Sequence, residues 1–512
     1  MFVKVHTGAI SGIEAVAVTV EVNVASGGLG LFLVGLPDNT IKESEQRIHA
    51  AFENSGYRLV AKKTVVNLAP ADLRKEGSQY DLPIAIGILA ATEQIVPTML
   101  DDSMFIGELS LDGTLRPVKG VLPLVAMARD KGLKRVFMPH DNVAEGAVVE
   151  GVETVGVGSL VELCQIVMGR MPYEVAKNSM SAEDEALNDT YAEDFADVKG
   201  QAYVKRALEI AAAGGHNVIM VGSPGSGKTM LARRMPTIMP PMTLEEALET
   251  TKIHSVAGKI GAHRGLMRTR PFRAPHHLTS QVALIGGGQS PQPGEVSLAN
   301  NGVLFLDEMP EFGRSVLEVL RQPLEDRHIS ISRAKYSVDY PANFTLIASM
   351  NPCPCGYYNH PTKECTCSPS AVHRYMAHIS GPLMDRIDIH IEVIPVEISE
   401  MSNAKPAESS AKVRERVTAA REIQLRRFEG LNIHCNAMMN SAMLRDFAPL
   451  SKECSMLLES AMTRLNLSAR AYDRIIKVAR TIADLEGVES IAPHHISEAI
   501  GYRALDREGW GR

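Results

Sequence analysis

The sequence predicts an α/β protein in three parts: a mixed α/β domain over 1–170, a parallel α/β unit over 198–396, and a helical domain over 397–512. Three observations carry this. Strand-like and helical runs alternate through the first 170 residues. From residue 203 the order helix, apolar strand, Gly-rich turn, helix opens a parallel unit. After Glu397 the apolar spacing becomes that of helices.

Taken in order, 15–24 (AVAVTVEVNV) and 63–68 (KTVVNL) read as strands, and 41–54 and 83–91 as helices. Over 171–197 the apolar periodicity disappears and seven acids gather between Glu183 and Asp197, which reads as an exposed acidic linker. The second part brings a helix (VKRALEIAAAG) and strands at 217–221, 303–306 and 344–348. In the third, 411–428 is Arg-rich and uninterrupted, while Ile475, Val478, Ala479 and Ile482 share one helical face.

Composition narrows the class. With 512 residues, 45% hydrophobic and 22% charged, the chain has room for about three domains, each with its own core. A net charge of −7 excludes a histone-like basic protein, so a polyanionic partner has to be sought in local patches. The longest near-apolar stretch, 82–91, is too short to cross a bilayer, and the opening MFVKVHTGAISGIE is no secretory signal. Seven cysteines are too few for a disulfide scaffold. A cytoplasmic protein without membrane contact is the expectation.

The chemistry is concentrated in two strings. Gly222-Ser223-Pro224-Gly225-Ser226-Gly227-Lys228-Thr229 fits GxxxxGK[ST] between a strand and a helix, the setting of a P-loop. Backbone N–H groups of such a turn face phosphates, Lys228 reaches the β and γ oxygens of ATP, and Thr229 ligates Mg²⁺. About eighty residues on, VLFLDE places Asp307 and Glu308 at a strand end, where Asp307 can hold the magnesium and Glu308 can polarise water for hydrolysis. Asn351, after the next strand, offers an amide to orient the attacking water; a turn-forming Asn before Pro352 is the plainer reading.

Two further features stand out. From Lys252 to Gly294 there is no acid, while Lys252, Lys259, Arg264, Arg268, Arg270 and Arg273 supply six cations. A second polar, hairpin-like stretch over 327–340 carries Arg333 and Lys335 at its tip. Both suit phosphate binding; a solvated basic face is the plainer alternative. Cys353, Cys355, Cys365 and Cys367 form CxC-x9-CxC, enough thiolates for a tetrahedral structural Zn²⁺, with free buried thiols or a redox-sensitive loop as the other readings.

The P-loop, LFLDE and Asn351 resemble AAA+ ATPases. The strings RPFRAPHH, GEVSLANNGVLFLDE, NPCPCG and GPLMDRIDI resemble the magnesium-chelatase-like branch of that class, in its ComM/YifB type, over nearly the whole chain. The resemblance implies an AAA+ core followed by a helical lid. It also implies a homo-hexameric ring whose pore loops, from 252–294 and 327–340, bind single-stranded or branched DNA. The activity implied is an ATP-driven helicase promoting branch migration in natural transformation and homologous recombination. A chelatase-type ATPase that remodels a protein partner is the alternative. By resemblance Arg386, in LMDRID, is an arginine finger acting on a neighbour, and Arg470, in SARAYDR, the lid's sensor arginine. Ion pairs, Arg386 with Asp385 or Asp388 and Arg470 with Asp473, are the plain alternatives, and Arg374 and Arg474 compete for the roles.

The first 170 residues resemble the Lon-protease-like (ribosomal S5 domain 2-like) domain through 67–83 and RPVKG. A Ser/Lys dyad is not matched: Gln79 or Tyr80 stands where the nucleophile belongs, and Ser78 lies one residue early. A binding or scaffolding role is expected of this domain.

Overall fold

Alternating burial along two long strands founds the first sheet. β1 (Phe2–Ser11) and β2 (Glu14–Ala25) pair antiparallel from Phe2↔Asn23 to Ser11↔Glu14, with Val5, Val18, Val20 and Val22 turned into the core. The computed structural model of the chain describes residues 1–25, 28, 30–60, 62–177, 191–261, 265–288, 291–333, 336–360, 362–395, 407–503 and 505. These form two compact units, Met1–Asn188 with Leu244–Met267, and Asp189–Thr243 with Arg268–Arg512.

In the first unit β3 (Gly30–Val34), β4 (Lys63–Ala69), β5 (Ser103–Phe105), β6 (Arg135–Pro139) and β7 (Glu153–Val157) complete a seven-stranded mixed sheet, in the order β3-β4-β2-β1-β5-β6-β7. Helix α1 (Asn39–Asn54) starts where the Asp38 carboxylate accepts the Ile41 N–H at 2.8 Å. Helix α2 (Asp81–Ala91) is buried on every side, which is why its sequence is apolar all round. Helix α3 (Val121–Asp130) packs with Ile10, Ala15 and Ala17 on the opposite face of the sheet.

The second unit holds an all-parallel sheet of β8 (Val218–Val221), β9 (Phe272–Arg273), β10 (Val303–Leu306), β11 (Thr345–Met350) and β12 (Ile389–Glu392), ordered β9-β10-β11-β8-β12. The runs VIMV and VLFL are wholly buried, as a parallel sheet covered on both faces requires. Helices α4 (Ala202–Gly214), α5 (Ser410–Arg427) and α6 (Ala469–Leu485) share one hydrophobic cluster with this sheet, including Leu208, Val218, Ile389, Val417, Ile475 and Ile482. The expected helical face of α6 is present: Ile475, Val478, Ala479 and Ile482 are all buried. Each of the buried Ile and Val side chains contributes about 1.5–3 kcal/mol.

The structure divides the chain differently from the expected 1–170, 171–197, 198–396 and 397–512. Helix Leu244–Val256, expected inside the second unit, belongs to the first. Lys252 pairs with Glu14 at 2.8 Å, Ser255 Oγ donates to the buried Glu145 carboxylate, and the Gly120 N–H donates to the Ser255 carbonyl at 3.1 Å. The end of the expected linker is folded as well. Phe195 is buried in the second unit's core, and Arg234 pairs with Asp197 at 3.0 Å. Residues 178–190 lie outside the described ones. The helical 407–503 is not a separate body by packing, since it completes the core beneath β8 and β12.

Asp484 on α6 anchors this arrangement. Buried, it accepts from Arg427 and Asn436, at 2.8 and 2.7 Å, and from Arg480 at 3.1 Å. Asp484→Ala takes the shared carboxylate from the guanidiniums of Arg427 and Arg480 and is expected to cost about 3–5 kcal/mol, read as a lowered urea midpoint with an unchanged m-value.

Candidate nucleotide site

Three neighbouring strands end together here. Gly222 follows β8, Asp307 follows β10, and Asn351 follows β11, so the sheet order alone brings the two motifs and the polar residue side by side at the carboxyl ends of the strands. Gly222 is required sterically, since a Cβ there would lie 2.3 Å from the Val393 carbonyl oxygen. Gly227, at φ 91°, turns the chain into helix Lys228–Arg233 in a left-handed conformation that favours glycine.

The Lys228 ammonium donates to the Gly222 and Ser223 carbonyls at 2.7 and 3.0 Å and to Asn351 Oδ1 at 3.3 Å. Burial lowers its pKa, opposed by the carboxylates of Asp307 and Glu308. Thr229 Oγ1 donates to Asp307 Oδ2 at 2.8 Å, while Ser349 Oγ donates to Asp307 Oδ1. Glu308 sits at φ 52°, a left-handed conformation that costs a non-glycine residue about 1–3 kcal/mol; its N–H is held by Asp307 Oδ1 at 3.1 Å. Its side chain is about half exposed, with His277 Nδ1 4.0 Å away and the His276 ring tilted against that of His277, their centres 4.1 Å apart.

These residues fit the groups the motifs call for. The hydroxyls of Ser223 and Ser226 are buried without a protein partner among the described residues, inside the loop that would wrap a phosphate. Thr229 and Asp307 offer adjacent hard oxygens of the kind magnesium takes. Ser349, to which the sequence assigns no role, holds the Asp307 carboxylate. Its signal was a small hydroxyl two residues before Asn351 on the same strand.

The two arginines lie elsewhere. Arg386 and Asp388 precede β12, at the end of the strands opposite Gly222, separated from it by roughly the 13 Å of a four-residue strand. Arg386 is buried; its guanidinium pairs with Glu325 at 2.6 Å and donates to the Pro382 carbonyl at 2.6 Å. Arg470, mostly exposed, pairs with Asp385 at 3.1 Å, and Arg474 with Asp388 at 3.0 Å. Against its own burial, the Asp388 carboxyl is held well below the usual carboxylate range by Arg474, His216 and Lys477. Arg374 is exposed on helix Pro369–Met376.

The four cysteines come together. Their sulfurs all lie within 4.8 Å of one another, with Cys353 3.2 Å from Cys355 and 3.6 Å from Cys365, and Cys355 3.5 Å from Cys365. Tetrahedral zinc with Zn–S bonds of about 2.3 Å holds its sulfurs about 3.8 Å apart, so the cluster fits it closely, Cys367 making the fourth ligand. The same loop touches the P-loop: a Cβ on Gly356 would lie 2.5 Å from Pro224 Cδ.

The basic residues fare unevenly. Arg270 and Arg273 leave the set of candidate DNA contacts. Arg270 is buried and donates to the Pro240, Asn301 and Pro241 carbonyls at 2.6, 2.6 and 3.2 Å; Arg273 forms a two-pronged pair with Glu295 at 2.6 and 2.8 Å. Lys259 is exposed in the first unit and Arg268 half-buried in the second. The expected hairpin exists, His328–Arg333 against Tyr336–Pro341, but Lys335 and Arg264 lie outside the described residues, as does the Arg333 side chain. In the first unit Ser78 Oγ donates to the Glu108 carboxylate, not to a lysine. Arg270→Ala, which leaves three carbonyls without their donor, is expected to lower the melting temperature by several degrees, whereas Lys259→Ala should leave it in place.

Comparison with known proteins agrees with this geometry. Family models described as magnesium chelatase, subunit ChlI, match residues 194–401; as subunit ChlI of Mg-chelatase, 20–142; and as its C-terminal part, 407–503. The chain is 44% identical to the uncharacterized protein YifB of Escherichia coli and 44% identical to competence protein ComM of Haemophilus influenzae, in each case over 98% of this chain and 97% of that protein. It is 38% identical, over 97% of both chains, to the uncharacterized protein Rv2897c of Mycobacterium tuberculosis. With the P-loop, the Asp307–Glu308 strand end and near-complete coverage at that identity, the chain belongs to the magnesium-chelatase-like AAA+ family, in its ComM/YifB type.

Proposed function

We propose that this chain is a Mg²⁺-dependent ATPase that assembles as a homo-hexameric ring and drives DNA through it, as a cytoplasmic helicase promoting branch migration in natural transformation and homologous recombination. The observation that carries the reading is the convergence of Lys228, Thr229, Asp307, Glu308 and Asn351 on one cluster of strand ends. Lys228 and the loop N–H groups bind the phosphates; Thr229 and Asp307 would hold magnesium, whose charge would offset that of the phosphoryl oxygens. Asn351 and Glu308 orient and polarise the attacking water. A helical lid formed by 407–503, packed into the second unit's core, and a Lon-like fold for the first unit complete the reading.

Arg386 cannot serve its own chain's phosphates from the far end of β12, which supports its delivery to a neighbour in a ring, with Arg470 beside it through Asp385. DNA would be gripped through Lys259, Arg264, Arg268, Arg333 and Lys335, giving binding that is insensitive to sequence and sensitive to salt. Structural zinc on the four cysteines would shape the loop that bears Asn351 and braces Pro224. The name of the Haemophilus relative supports a role in competence. The chelatase descriptions of the matched families favour, as a second reading, an ATPase that remodels a protein partner.

ATP turnover measured with single-stranded, duplex and branched DNA over a salt series separates the two. Stimulation that collapses with rising salt is expected of the DNA motor, whereas indifference to every DNA leaves the remodelling ATPase. Glu308→Gln should still bind ATP but turn it over at least about a hundredfold more slowly; a normal rate would show that another group activates water. Metal analysis should return one zinc per chain, lost together with loop protection against proteolysis in Cys353→Ser/Cys365→Ser. Four freely titrating thiols in the native protein would remove the zinc.

A further inference from the structure

We propose that the open half of the first unit's sheet is a stacking platform for single-stranded DNA. This rests on the reading of the chain as a DNA motor, and gives that motor a contact of a second kind, through the bases as well as the phosphates. One face of the sheet is closed by α2, whose Gly87 lies against Val5 and Val22. Among the described residues, α3 covers the other at the end that carries Ile10, Ala15 and Ala17. At the opposite end the strand register sets Phe2, Asn23, Val65 and Phe32 in one row across β1, β2, β4 and β3, and Lys4, Glu21, Asn67 and Val34 in the next. None of the eight is buried, and Phe2 and Phe32 are 56% and 47% exposed. Three inter-strand steps place the two rings roughly 14 Å apart.

The chemistry of the row selects the occupant. The Lys4 ammonium stands over the Phe2 ring, 5.6 Å from its centre, and the Lys63 ammonium over the Phe32 ring, also 5.6 Å from its centre, so each ring carries a cation against its face. A base stacking on either ring takes the place of the exposed lysine's ammonium, which then swings to a neighbouring phosphate, while the Asn23 amide between the rings can hydrogen-bond base edges. The one carboxylate in these two rows, Glu21, stands directly across from Lys4 and accepts from Asn67 at 2.9 Å, which mutes its repulsion. A protein partner would be expected to meet an apolar centre depleted of lysine, and here lysines flank both rings. Duplex DNA is disfavoured because its bases are already stacked on each other.

The test is anisotropy of a fluorescent oligo-dT with the full-length protein at fixed low salt, beside basal ATP turnover without DNA. Phe2→Ala/Phe32→Ala should raise the Kd by roughly tenfold or more and leave basal turnover unchanged. An oligonucleotide carrying 5-iododeoxyuridine should photocrosslink to the strands bearing Phe2 and Phe32. Lys4→Glu/Lys63→Glu should weaken binding and flatten its salt dependence, which keeps the proposal testable should the alanine pair unfold. An unchanged Kd in either double variant overturns the platform and leaves the motor reading standing. A wild-type protein that binds no oligonucleotide overturns both.

Discussion

The Asp307 carboxylate is the junction on which the nucleotide site is built. One oxygen takes the Thr229 hydroxyl from the P-loop helix; the other takes the Ser349 hydroxyl from the adjacent strand and the N–H of Glu308. A single side chain thus ties the ends of β8, β10 and β11 and sets the backbone of the residue beside it. Because side chains alternate along a strand, a slip of one residue between β10 and β11 would turn Ser349 away from Asp307. The wholly buried strands supply the rigidity that prevents such a slip, so the polar centre depends on the apolar layer beneath it.

The far end of the same sheet carries a second polar layer. Asp388 accepts the Asn217 N–H at 3.1 Å, pairs with Arg474 and faces His216, which in turn meets Thr481 of α6 at 2.8 Å. Buried polar groups of this kind cost stability unless they are paired, and here their partners come from the residues leading into β8 and β12 and from α6. Such a layer fixes where the segment carrying Arg386 sits against the helix carrying Arg470.

What was legible in the sequence was local or periodic. The P-loop is contiguous, VLFLDE is a strand with its end attached, and the apolar spacing of α6 is a pattern within one helix. What escaped was set by distant partners. Arg270 reads as one more cation in an acid-free run, yet its acceptors are carbonyls about thirty positions away on either side. Arg386 pairs with Glu325 and Arg470 with Asp385, where adjacency in sequence had suggested Asp385 or Asp388 and Asp473. Helix Leu244–Val256 has little apolar periodicity of its own, and its anchors, Glu14 and Glu145, come from residues more than a hundred positions earlier. Cysteine spacing alone left several readings open, and the gathering of four sulfurs narrows them.

The return of Leu244–Met267 to the first unit means that the chain crosses between the units three times. During translation the opening unit therefore lacks its closing helix until residue 267 has left the ribosome, by which time the P-loop segment is already made. The two units cannot mature strictly one after the other, and cutting the chain within 178–190 would free neither of them intact. A fragment beginning at residue 198 would carry the helix away from Glu145 and leave the residues it covers bare.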